Sequence, residues 1–288
     1  NELAGVDTVA EQVWQPLYQS VRPLQRRMDI FMAGSSSIDS NQWVCSMGHL
    51  VGLFDRPWLG IPPTGKLVYV RYADFNRVEN DRIVETGFFC DIIGVMKQAG
   101  FDPLPPQTGA EILVPGPQTH DGLLYDPQPA AESEKTLDLL TRMIDDLVGS
   151  YGTRVQPELL QRTWHDDMLW YGPSGIGSTY TIPRYQQQHQ YPFREGLENI
   201  VLNGHVCRFA EGHYASWFGW PNLTMTPTGG FLGMPACDKR VDMRVVDIYR
   251  RRDDKLAENW VLIDIPYWLL QQGVDILDRT LGVSRVGP

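Results

Sequence analysis

The stretch Leu59–Asp102, LGIPPTGKLVYVRYADFNRVENDRIVETGFFCDIIGVMKQAGFD, occurs twice in the chain. The second copy, Leu232–Asp275, reads LGMPACDKRVDMRVVDIYRRRDDKLAENWVLIDIPYWLLQQGVD and lies at a constant offset with no gap. Identities include Leu59, Gly60, Pro62, Lys66, Val68, Arg71, Asp74, Arg77, Asp81, Glu85, Asp91, Gln98, Gly100 and Asp102. So long a period points to a duplicated domain, because solenoid repeats recur every ~20–50 residues. Lys66–Arg77 and Lys239–Arg250 are rich in β-branched and aromatic residues and predict long strands. Asn80-Asp81 and Asp253-Asp254 are turn residues, so Arg82–Asp91 and Lys255–Asp264 predict return strands. Ile92–Ala99 and Pro266–Gln272 predict closing helices, stopped by Gly100 and Gly273. Upstream, VCSMGH (Val44–His49) aligns with VCRFAEGH (Val206–His213), which sets His49 opposite His213.

Outward from the repeat, the second copy has more in front of it. Leu137, Leu140, Ile144 and Leu147 fall at helical spacing within Glu134–Gly149, with Ser133 placed to cap that helix. Pro157–Trp164 predicts a short helix, Met168–Gly172 a strand, Thr181–Gly196 partial helix, and Glu198–Cys207 and His213–Trp220 further strands. Val9–Leu24 supplies one helix to the shorter first copy. The pattern is an α+β fold of tandem domains, each a curved antiparallel sheet wrapped on helices. The expected division is 1–104 for an abbreviated first domain, 105–132 for a proline-rich linker or lid, and 133–288 for a complete second domain. The two sheets are expected to pack face to face as an internal pseudo-dimer, with a further homodimer possible.

The 288 residues carry 25 Lys and Arg against 35 Asp and Glu, a net charge of −10, which argues against nucleic acid or an anionic membrane as partner. There is no run of ~18 apolar residues. Four cysteines, Cys45, Cys90, Cys207 and Cys237, form no CxxC pair and suit neither a zinc site nor a disulfide framework. They read as reduced thiols in a cytoplasmic protein. The first twenty residues resemble no signal peptide, and because the chain opens with Asn1 rather than Met, residues upstream are expected to be missing. No HxH or HExxH spacing appears, so neither metal nor cofactor is expected.

The segments GHLVGLF, PWLGIPPTGK and GGFLGMPAC, and the run MRVVDIYRRRDDKLAENWVLIDIPYWLLQQG, resemble the SnoaL-like polyketide cyclases, also called predicted ester cyclases, within the NTF2-like (cystatin-like) superfamily. The resemblance covers most of Gly48–Asp102 and Trp164–Asp275. It implies a cone with a deep, mostly apolar pocket, in which a carboxylate near a histidine moves protons without metal or cofactor. Carried over residue by residue, the family's aspartate falls on Val261 and Phe88, and its histidine on Asp247 and Asp74. That pair is therefore absent from both copies, and a carboxylate stands in the histidine's place.

Strand alternation puts Val245, Asp247, Tyr249, Asn259, Val261 and Ile263 on one face. The matching set is Tyr72, Asp74, Asn76, Thr86, Phe88 and Cys90. A dry aspartate there has its pKa raised toward the range useful for acid–base work. Asp247 is thus the leading catalytic candidate, assisted by His213 or His205. Trp164, Trp170, Tyr249, Asn259, Val261, His165, Asp74, His49 and His120 are candidates for contacting the ligand. Arg71, Arg77 and Glu85, repeated as Arg244, Arg250 and Glu258, share the opposite face and read as cross-strand structural pairs. The expected function is cofactor-free cyclisation, isomerisation, dehydration or hydrolysis of a small apolar carbonyl or ester compound. The alternative is a non-catalytic binder of a small molecule or a partner-binding scaffold.

Overall fold

The computed structural model describes residues 2–150 and 154–279. The chain begins with α1 (Val6–Val9), a π-helical turn (Ala10–Trp14) and α2 (Gln15–Ser20). Four antiparallel strands follow in meander order: β1 (Gln25–Ser35), β2 (Gln42–Leu53), β3 (Leu67–Glu79) and β4 (Arg82–Cys90), closed by α3 (Ile92–Gln98). A segment without long elements then leads to α4 (Ala130–Val148), α5 (Pro157–Gln161), β5 (Trp164–Tyr171) and β6 (Ser178–Tyr180). Next come α6 (Ile182–Tyr185), a π-helical turn (Gln186–Gln190), α7 (Tyr191–Glu195), β7 (Leu197–Leu202), β8 (Cys207–Glu211) and β9 (Tyr214–Pro227). The last elements are β10 (Val241–Arg252), β11 (Lys255–Ile263) and α8 (Ile265–Gln271). The second sheet runs β6-β5-β11-β10-β9-β7, with β8 also on β9 and with β5 parallel to β11.

The repeat is visible at the level of single bonds. Arg77 pairs with Glu85 and Arg250 with Glu258, and a bulge follows the arginine in both hairpins. Asn80 and Asp253, at the tips, both have positive φ, 49° and 53°, a conformation Asn and Asp tolerate better than most residues. Asp91 caps α3 by accepting from Gly94 N–H, and Asp264 caps α8 by accepting from Tyr267 N–H. Such caps are worth about 1 kcal/mol each.

Strand register corrects one alignment. Asp74 lies opposite Ser46 in β2, and Asp247 lies opposite Trp217 in β9. The counterpart of Val44–His49 is therefore Ala215–Trp220, not Val206–His213. His49 corresponds to Trp220, and His213 sits in the β8–β9 turn. The short shared motif misled because β8 belongs opposite β1 in the duplication, one strand earlier.

The two sheets meet face to face through an apolar layer that includes Trp43, Phe75 and Phe89 from the first and Phe209, Phe218 and Trp260 from the second. Phe218 is its centre, with ring centroids 5.0 Å from Phe75, 5.6 Å from Trp43 and 6.0 Å from Phe89. Gly87 makes room for it, since a Cβ there would stand 2.8 Å from the Phe218 ring. The proline-rich segment is an ordered strap and not a loose tether. On one side Phe31 of β1 donates its N–H to Gly122 O and accepts from Leu124 N–H, and on the other Ala110 pairs with Ser178. Trp260 Nε1 donates to Pro115 O at 2.9 Å, and the Tyr214 hydroxyl donates to Asp121 at 2.5 Å. Ser133 does not cap α4, whose first residue is Ala130; its hydroxyl accepts from Gly212 N–H and ties the helix to the β8–β9 turn.

Candidate functional site

The second sheet curls around a cavity of ≈150 Å³. Its floor is the predicted face of β10 and β11: Val245, Asp247, Tyr249, Asn259, Val261 and Ile263. One wall is α4, through Met143, Ile144, Leu147 and Val148. A second wall comes from the irregular helix Ile182–Glu195, through Tyr185, His189, Gln190 and Phe193. Trp164 and Trp170 from β5, Trp217 from β9 and His205 from the β7–β8 loop complete it. The lining is apolar and aromatic except for a few polar groups, the usual composition of a small-molecule site.

Asp247 is 7% exposed, and no cation lies within ion-pair distance of it among the described residues. Asn259 Nδ2 donates to its Oδ1 at 2.9 Å and also to Ile248 O at 3.1 Å, which fixes the amide. Burial pushes the Asp247 carboxyl up to about 7, against the opposing pull of Asn259 and Tyr249. Dehydration penalises the charged form, and a neutral amide repays only part of that cost. The Tyr249 phenol is driven well above its ordinary value by the same burial and by Asp247.

Two histidines line the same cavity, each stacked on a tryptophan. His205 lies 4.3 Å from Trp217 with rings 21° apart, and His189 lies 4.0 Å from Trp170 with rings 16° apart. Burial drives His189 down to about 3 and, with Arg208 contributing, His205 down to about 4. Both imidazoles are therefore neutral near pH 7. His189 Nδ1 is buried and has no hydrogen-bond partner among the described residues.

Of the residues singled out from the sequence, Asp247, Tyr249, Asn259, Val261, Trp164, Trp170 and His205 converge on this cavity. His213 does not: it is a half-exposed turn residue whose Nδ1 stands 3.8 Å from Glu132. His165 points to the other face of β5, where Nε2 bonds Arg252 O at 2.8 Å. His120 is exposed in the strap at φ 56°. His49 lies edge-on to Tyr69 at a separate cleft. Asp74 belongs to the first sheet, where Arg26 holds it at 2.6 Å. The α4 helix was expected but not as a wall of the site, whereas His189 and Tyr185 escaped the sequence reading. Their signal lay in the partly helical stretch Thr181–Gly196, but a π-helical turn shifts side-chain phase and spoils a regular periodicity.

Among the described residues no group of three or more His, Cys, Asp or Glu side chains converges as a metal site would require. No described helix is long and apolar enough to cross a membrane.

Residues 29–99 and 208–272 each match the SnoaL-like polyketide cyclase family. No curated protein matches the chain. Among solved structures, a SnoaL-like protein from Jannaschia sp. CCS1 is 19% identical, covering 53% of this chain and 96% of its own, with a TM-score of 0.41. An NTF2-like protein from Burkholderia xenovorans LB400 is 12% identical over 49% of this chain and 97% of its own, with a TM-score of 0.38. A protein with a ketosteroid isomerase-like fold from Catenulispora acidiphila DSM 44928, in complex with trimethylamine, is 11% identical over 48% and 95%, with a TM-score of 0.37. Each corresponds to about half of this chain.

Proposed function

We propose, for a chain that carries two SnoaL-like polyketide cyclase domains, that the second is a cofactor-free acid–base enzyme acting on a small apolar carbonyl compound. The observation behind this reading is the Asp247 carboxyl, buried, with no cation within ion-pair distance among the described residues, and hydrogen-bonded to Asn259 inside an aromatic cavity. With its pKa near neutrality, the group takes up and returns a proton at little cost in driving force. As carboxylate it removes a proton from the carbon next to a substrate carbonyl. As carboxylic acid it returns that proton to a carbon of the enolate, or to the alkoxide oxygen formed if the enolate has closed a ring on a second carbonyl.

The developing oxyanion needs a donor. A neutral imidazole N–H from His189 or His205 serves better here than an imidazolium, because a buried cation beside Asp247 would pull the carboxyl pKa back down. Stacking on Trp170 and Trp217 limits the freedom of both rings. The tryptophans and the α4 side chains exclude water and favour a flat, apolar substrate. The first domain is structural in this reading, because Arg26 occupies the place beside its carboxylate.

Proton abstraction is testable without knowing the natural substrate. Ketones and β-keto esters of graded size, incubated with the protein in D2O, are expected to exchange their α-protons faster than in buffer alone. Asp247→Asn should abolish that excess while still binding the same compounds. Undiminished exchange by a folded Asp247→Asn protein overturns the assignment. Binding with no exchange by either protein favours the binder reading.

A further inference from the structure

Arg71 and Arg244 are the same residue of the duplication, yet their surroundings differ. The Arg244 guanidinium lies between two rings, 4.0 Å from Trp220 and 3.6 Å from Tyr267, and it pairs with Asp264 at 3.2 Å. At Arg71 the two ring positions hold His49 and Gly94. A smaller imidazole in place of the indole, and no side chain in place of the phenol, go with a cleft of ≈60 Å³ beside Arg71, closed on its far side by the strap and the β5–β6 loop.

Arg71 is 5% exposed. Its terminal nitrogens donate to two carbonyls, Gly172 O at 2.9 Å and Tyr171 O at 3.0 Å, and its Nε has no partner among the described residues. Among the described residues no carboxylate comes within ion-pair distance of it. The carboxylates around the cleft are committed elsewhere. Asp91 accepts from Gly94 N–H and Ser174 N–H, both at 2.9 Å; Glu111 pairs with Lys97 at 2.6 Å; Asp29 stands 3.5 Å from His49 Nδ1. Burial lowers the Arg71 pKa to about 10, with Asp91 only partly offsetting it. A buried cation is normally paired or hydrogen-bonded to an anion, and this one faces a cleft where its twin has a counter-charge and two rings.

We propose that this cleft binds a small planar oxyanion, a carboxylate of acetate size, against Arg71 between His49 and the strap. The cleft is too small for an aromatic ring, since a cavity that takes up benzene has a volume near ~150 Å³. A planar carboxylate matches the guanidinium in shape and supplies the missing charge. Because Arg71 and His49 come from the first domain and the β5–β6 loop from the second, the bound ion would join the two.

The probe is acetate itself, titrated into the full chain with ionic strength held constant by sodium chloride. Saturable binding at one site per chain is expected, and the imidazole nitrogen resonances of His49, assigned by their loss in His49→Gln, should move along the same curve. His49→Trp, which restores the ring present at Trp220, is expected to weaken binding at least tenfold. Absence of saturable binding, or saturation that leaves His49 unmoved, overturns the proposal. Should His49→Trp fail to fold, the His49 resonances of the natural chain still decide. A folded His49→Trp protein that binds acetate undiminished overturns it as well.

Discussion

Two cups built on one sequence pattern treat the same aspartate in opposite ways. In the second, Asp247 lies in an open cavity beside a neutral amide. In the first, Asp74 receives the Arg26 guanidinium at 2.6 Å, and that guanidinium also donates to Ser46 and to the Tyr72 hydroxyl while lying 4.6 Å over the Tyr72 ring. Bulk reinforces charge: Tyr72 and Phe88 stand where the second cup has Val245 and Val261. Trp14, on the π-helical turn, closes over Phe88 at 5.1 Å. The aspartate and its register survive duplication; the environment that decides its chemistry comes from residues outside the repeated stretch. Arg26 and Trp14 precede the first copy, and α4, His189 and the β5 tryptophans precede the second.

The comparison is broken most sharply at the carboxylates. If a dry Asp247 performs the proton transfer, Asp247→Asn lowers α-proton exchange by at least ~100-fold, whereas Asp74→Asn leaves it within about twofold. Nuclear magnetic resonance of the exchanging substrate measures both.

Stability gives the next largest effect, with a sign fixed by the direction of the shift. The Asp247 carboxyl is raised from 3.8 to about 7, so the folded state holds its proton more tightly than the unfolded chain. The contribution is full below pH ~4 and is lost as pH rises through about 7, amounting to about 4 kcal/mol. Asp247→Asn is therefore expected to gain about that much over the natural chain at pH 8 and nothing at pH 3.5, read from urea denaturation at each pH. A gain independent of pH would mean that the carboxyl is already hydrated.

Packing between the cups follows. Phe218 fills the layer where the two sheets meet, and Phe218→Ala is expected to cost about 3 kcal/mol. If the sheets cohere through it, unfolding stays a single transition in the natural chain and separates into two in the variant, monitored by tryptophan fluorescence. Smallest is the ion pair of the closed cup. Arg26 is partly exposed, so Arg26→Leu is expected to cost about 1–2 kcal/mol. Adding Asp74→Asn should recover most of that loss, because the stranded charge is then gone. A double variant no better than the single would show that Arg26 stabilises by packing on Tyr72 and not through Asp74.

The repeat made the sheets, the hairpins and the floor of the site legible, because strand alternation and cross-strand pairing are local. Asp247, Tyr249, Asn259 and Val261 were placed on one face by parity alone, and the cavity has them there. Histidines were harder. His213 and His49 were paired by a six-residue motif, but long-range register sets their surroundings: one is in a turn and the other is across from Arg71. His189 was missed because no local pattern announces a stacking partner 19 residues away across a π-helical turn. Arg26 was missed because its target lies two strands distant.

Direct titration of the Asp247 carboxyl carbon by 13C nuclear magnetic resonance, assigned through Asp247→Asn, bears on all of this at once. A midpoint near pH 7 is expected for a carboxyl that is dehydrated and lacks a cation. A midpoint near 4 would mean that water or a counter-charge reaches it, and the second cup would then be no better suited to proton transfer than the first.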